Sequence, residues 1–270
     1  YHHPVLPEFW DGLSNTHPQS ESLPIFPIMF VSIACGAISG FHATQSPLMA
    51  RCMKSEMYGR PVFYGAMITE GIVALIWAAA ATCFFGENGM EETNASVIVD
   101  AITKNWLGTI GGLLAVLGVI AAPITSGDTA FRSARLIVAD FLGMEQKSMR
   151  HRLYISVPMF LVAVGLLLYS LRDKNGFDMI WRYFAWANQT LSVFTLWAIT
   201  VFLAKAGKLY WVTFIPALFM TGVCITYISI APEGFGLSQQ VAYAVGSVSV
   251  VTAMVLFYRW NRRECALMKK

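Results

Sequence analysis

Charge is what this 270-residue chain has least of: only 13% of its residues are Asp, Glu, Lys or Arg, against about 25% in a soluble domain. That shortage excludes an ordinary cytosolic enzyme and a disordered chain, both of which keep more charge in contact with water. The five cysteines (Cys35, Cys52, Cys83, Cys224 and Cys265) are scattered, and none forms a CxxC pair. A disulfide scaffold and a zinc knuckle are therefore not expected, and most of the cysteines read as small buried hydrophobes. There is no GxSxG elbow and no HExxH pair, so no catalytic residues, metal ligands or cofactors are expected. A net charge of +3 is too small to suggest a nucleic-acid partner. Hydrophobic residues, in contrast, make up 56% of the chain, with 18 Phe, 10 Tyr and 8 Trp, and the mean hydropathy is +0.55. Such a composition belongs in a lipid bilayer.

The chain begins at Tyr1, with no charged, short apolar signal segment ahead of its first apolar run. Residues 1–23 are polar and broken by Pro4, Pro7 and Pro18, so nothing there could start insertion, and an internal piece of a longer protein is expected. Seven stretches approach the roughly 20 residues that cross about 30 Å of hydrocarbon: 24–43, 62–85, 106–126, 153–171, 180–205, 210–231 and 238–258. Their apolar runs are continuous rather than alternating, which favours helices over a β-barrel. The fold expected is an all-α polytopic bundle of about seven spans. Residues 1–23 would form an extracytoplasmic segment, 24–260 the transmembrane domain and 261–270 a basic cytoplasmic tail. Fifteen of the nineteen basic residues fall on one side of that alternating topology, which places the amino end outside and the carboxyl end in the cytoplasm. The longest connection, 86–105, is too short for a catalytic domain, so any chemistry belongs inside the bundle.

Three strings interrupt the apolar runs with polar groups. In GAISGFHATQSPLMAR (36–51), Ser39, Gly40, His42, Thr44 and Gln45 precede Pro47, whose missing N–H is expected to end the helix. Unwound backbone at such a place suits binding of a small ion or carboxylate in a transporter; the plainer alternative is a helix ending at the headgroups. In PITSGDTAFRSAR (123–135), Thr125 and Ser126 lie beside Pro123 and Gly127, and Asp128 and Arg132 share a helix face. These are candidate ligands for Na⁺ or proton passage. Alternatively, Asp128 caps a short helix whose arginines face phosphate headgroups. In WRYFAWANQT (181–190), Arg182 can snorkel to the surface, whereas Asn188 and Gln189 lie deeper and either join helices or line a path. The pairs Gly36/Gly40 and Gly108/Gly112 are GxxxG motifs expected to face protein.

Glu70 stands alone near the middle of 62–85. An acid at a span centre costs on the order of 2.5–3.5 kcal/mol on insertion scales, so it is a candidate proton or cation relay with a raised pKa. The structural alternative is a protonated, hydrogen-bonded Glu70.

The strings GAISGFHATQSP, ARCMKSEMYGRPVFYGAMITEGIVALIWAAAA, PITSGDTAFRSARLIVADFL and IWRYFAWANQT closely resemble the carbon starvation protein A family. The resemblance runs from about residue 24 to about residue 205. It implies a fold related to amino acid–polyamine–cation transporters, with broken helices around a midplane site. It also implies uptake of short peptides or pyruvate across the bacterial inner membrane, driven by H⁺ or Na⁺. Family members are longer, so this chain looks like a carboxyl-terminal half that lacks its amino-terminal partner spans. Glu70, Asp128 and His42 are the candidates for ion coupling. A non-transporting starvation sensor or assembly subunit is the rival reading. An intramembrane hydrolase built on Ser39, His42 and Glu70 is disfavoured.

Overall fold

The computed structural model describes residues 24–33, 38–88, 95–172 and 176–267, which fold as helices and short connections without strands. Eight α-helices follow in order: α1 (Ile25–Ile33), α2 (Phe41–Cys52), α3 (Ala66–Asn88), α4 (Ala95–Phe141), α5 (Met149–Arg172), α6 (Gly176–Lys205), α7 (Trp211–Ile230) and α8 (Gln239–Leu267). A 3₁₀ turn, Glu56–Tyr58, and a π-helical segment, Arg60–Gly65, lead into α3. Among the described residues, five helical runs are long and apolar enough to cross a membrane: Glu56–Phe84, Met149–Ser170, Met179–Lys205, Trp211–Ile230 and Gln239–Glu264. They coincide with five of the seven stretches read from the sequence.

The other two stretches take different forms. The first is divided: α1 ends at Ile33, residues 38–40 belong to no helix, and α2 opens at Phe41. Pro47 does not end that second helix, contrary to expectation. It sits inside α2, which continues to Cys52, because a missing N–H removes only one bond, to the carbonyl four residues earlier. The stretch 106–126 lies within the long α4, which breaks at Gly108 (φ 67°, ψ −167°). Beyond that break α4 passes Pro123 and reaches Phe141.

The chain divides into two compact units. One comprises residues 54–166 and carries α3, α4 and most of α5; the other holds α1, α2, α6, α7 and α8. In the second unit α7 is central, packing on α1, α6 and α8. Its core joins Val31 to Met220, Val223, Cys224, Tyr227 and Ala231, with Phe26, Trp186 and Leu196 against them. Small residues set the α7–α8 spacing: a Cβ added to Gly246 would overlap the Thr226 hydroxyl. This is the close backbone approach that membrane helices use where hydrophobicity cannot drive association. At one end of the unit Trp197, Tyr210, Phe214 and Phe257 pack edge-to-face or tilted, with centroids 4.9–6.2 Å apart. Lys205 lies over Trp260 at 5.8 Å.

Candidate functional site

Polar groups in the second unit are gathered along α6. Asn188 is buried, Gln189 and Thr200 are fully so, and Ser192 is nearly so. The Ser192 hydroxyl donates to the Gln189 carbonyl at 2.6 Å. Toward α7, the Trp186 indole donates to the Cys224 carbonyl at 3.1 Å, and that of Trp197 to the Thr221 hydroxyl at 3.1 Å. Thr200 donates to Thr213 at 2.9 Å. The Ser192 bond lies within α6, whereas the other three run from α6 to α7, so the two helices form a hydrogen-bonded seam.

The break between α1 and α2 meets this seam. Ser39 and Gly40 are buried. A Cβ on Gly40 would overlap the Asn188 carbonyl oxygen and approach Leu191 Cβ at 2.8 Å and Asn188 Oδ1 at 2.9 Å. Only glycine lets the two backbones come this close. Gly40 thus meets Asn188, two candidates separated by about 150 residues in sequence, and Ser39 and Gln189 are their buried chain neighbours. Ser39, Thr44, Asn188 and Gln189 all have interaction partners. Thr44 and Gln45 are half-buried on the first turns of α2. The side chain of His42 lies outside the described residues, as do that of Thr125 and the whole of Gly36.

In the other unit Asp128 and Arg132 form the expected i,i+4 pair, with Nη2 and Oδ2 2.6 Å apart. Asp128 does not cap a new helix; it lies well inside α4, because the helix continues through Pro123 and Gly127. Ser126 is exposed on the same helix, and Glu70 is exposed on α3. Of the glycines expected to face protein, Gly40 and Gly112 are buried, and Gly112 packs on Lys104. Gly108 is the exception. It is exposed, with nothing among the described residues within contact of a Cβ, and its positive φ makes it the break in α4 rather than a packing surface.

One cluster went unread in the sequence. Glu233, in the α7–α8 connection, has a side chain only 3% exposed, and its Oε1 lies 3.3 Å from Arg182 Nε. Tyr227 donates to the same oxygen at 2.8 Å, and Tyr183 donates to the Glu233 backbone carbonyl. Arg182 therefore does more than snorkel: it ties α6 to the connection. The sequence offers Glu233 only as one more outer-loop acid, and nothing local marks its burial.

Long apolar helices, short connections and polar groups held at helix–helix seams define a polytopic, all-helical membrane protein. More particularly, the chain belongs to the carbon starvation protein CstA family, whose profile matches residues 15–106 and 86–227. An uncharacterized protein of Haemophilus influenzae is 44% identical over 131 residues, covering 48% of this chain and 90% of that protein. The peptide transporter CstA of Helicobacter pylori is 26% identical over 268 residues, covering 76% of this chain and 38% of the transporter. Its Escherichia coli namesake is 24% identical over 289 residues, covering 80% and 40%. The chain thus spans about two fifths of the length of these transporters. No solved structure matches it.

Proposed function

We propose that this chain is the carboxyl-terminal part of a bacterial inner-membrane secondary active transporter that takes up short peptides or pyruvate under carbon starvation. Family membership and the name shared by the longer relatives support transport. The observation that carries the reading is the divided first span, with Gly40 packed against Asn188 and their chain neighbours Ser39 and Gln189 buried. Discontinuous helices of this kind leave backbone groups to hold substrate or ion near the midplane. In this reading the amino end is outside, the basic connections are cytoplasmic, and the upstream spans complete the transport core. Glu70 takes up the coupling proton from outside and releases it inward; Asp128 and His42 are the further candidates for the coupling path, which Na⁺ could also use. Thr125, Ser126 and Arg132 line that path.

Uptake by proteoliposomes holding a full-length relative with these motifs tests the reading, with a labelled dipeptide compared against labelled pyruvate under an imposed pH gradient. Glu70→Gln keeps shape and hydrogen bonding but removes titration. It should abolish pH-driven accumulation while leaving downhill exchange intact. Asp128→Asn should accumulate normally unless Asp128 itself relays charge. Absence of uptake of either substrate by the parent would favour the sensor or assembly role, and normal accumulation in both variants would remove the carboxylate relay.

A further inference from the structure

A cleft of about 530 Å³ opens between α4 and α5, lined by Asp128, Arg132 and Arg135 from one helix and Arg152, Ser156 and Phe160 from the other. The spacing puts each trio on one helix face, and the rings of Phe131 and Phe160 close the contact at 4.7 Å. Three guanidiniums stand against one carboxylate, so the cleft carries an excess of two positive charges. The Asp128–Arg132 pair does not neutralise it firmly. Both side chains are more than half exposed, at 66% and 59%, and such pairs contribute about 0–1 kcal/mol. Arg152 spends its Nε on the Gln146 carbonyl at 2.6 Å, which fixes the plane of its fork. Arg135 Nε is buried and has no hydrogen-bond acceptor among the described residues. A buried donor of that kind costs free energy until an acceptor arrives.

We propose that this cleft binds a phosphate group, and that its source is the headgroup of an anionic phospholipid. Guanidinium forks match phosphate oxygens in a bidentate manner, and two net positive charges suit a phosphate with a further anionic or neutral substituent better than a zwitterion. Basic pockets between membrane helices take lipid headgroups in this way. The neighbouring turns supply the remainder of the lipid's surroundings: Ile120 and Ile124 on α4, and Leu161 and Val164 on α5, are exposed apolar side chains on the side away from the α4–α5 connection. Acyl chains can lie along them while the phosphate sits among the arginines. The cleft shares Asp128 and Arg132 with the proposed coupling path, but the inference rests on Arg135 and Arg152 and its test does not require transport.

Native mass spectrometry of the delipidated chain in mild detergent tests it, with phosphatidylglycerol, phosphatidylcholine or inorganic phosphate added separately. The parent should retain one phosphatidylglycerol about tenfold better than phosphatidylcholine, and Arg135→Gln or Arg152→Gln should each reduce that retention about tenfold. Asp128→Asn frees Arg132 and should increase retention, a change of sign that a merely structural role would not produce. Two substitutions on different helices guard against one that fails to fold. If millimolar inorganic phosphate binds and displaces the lipid, with the same dependence on Arg135, the phosphate site stands and its source is the solute. Equal retention of the two lipids, or undiminished retention in both arginine variants, would overturn the proposal.

Discussion

Helices α5 and α7 have nearly the same apolarity, with mean hydropathies of 2.0 and 1.8 over their most apolar 18 residues, yet 6% of that stretch in α5 and 56% in α7 is buried within the chain. Hydropathy alone therefore does not tell which helix is enclosed. What separates them is the distribution of small and polar residues. Along α7, Thr221, Gly222, Thr226 and Ser229 are buried, and they meet Trp197 on one side and Gly246 on the other. Along α5 the side chains are mostly large and aliphatic, and Leu161, Val162, Leu166 and Leu167 are exposed. In lipid, a tail-like surface needs no protein partner, whereas small and polar residues associate through close packing and hydrogen bonds.

That contrast can be broken first at its tightest point. Gly246→Leu forces α7 and α8 apart and should destabilise the second unit by about 3 kcal/mol, read as a lowered unfolding midpoint in detergent; an unchanged midpoint would mean that the helices can slide to make room. Glu233→Ala leaves Arg182 without its carboxylate and Tyr227 without its acceptor. Because Arg182 is partly exposed, the loss should be smaller, about 1–2 kcal/mol, followed by the same unfolding assay. A double-mutant cycle of Trp197→Phe and Thr221→Val should give a coupling of about 0.6 kcal/mol, the usual worth of a hydrogen bond between membrane helices. Leu161→Ala, on the exposed face of α5, should shift the midpoint by less than about 0.5 kcal/mol. A large effect there would show that α5 is enclosed by another part of the protein.

Much of this was legible in the sequence because the bilayer imposes strong rules. Five spans follow from uninterrupted apolar length, and the i,i+4 pairing of Asp128 with Arg132 follows from helix geometry alone. The polar cluster ahead of Pro47 reads as an unwound segment, but among the described residues the break falls only at 38–40, and Thr44, Gln45 and Pro47 lie inside α2. The partner of that break, Asn188 beside Gln189, was visible only as a separate anomaly, since tertiary packing alone joins the two. Local rules overstated the prolines: Pro47 and Pro123 each remove one hydrogen bond, and the helices continue beyond both. They understated Gly108, where a positive φ bends a run that reads as continuous. Glu233 was illegible, because the burial of a loop carboxylate depends on Arg182 and Tyr227, far from it along the chain or on another element.

In the proposed transport cycle the break between α1 and α2, where Gly40 packs on Asn188, lies on the path of the substrate. Ser39→Cys, placed in a full-length relative with its native cysteines replaced, tests it by the rate of labelling with a small thiol reagent. The account predicts that the transported dipeptide or pyruvate slows labelling at Ser39→Cys several-fold and leaves an exposed reference, Leu161→Cys, unchanged. Labelling of Ser39→Cys at the same rate with and without a substrate that the protein demonstrably transports would contradict it.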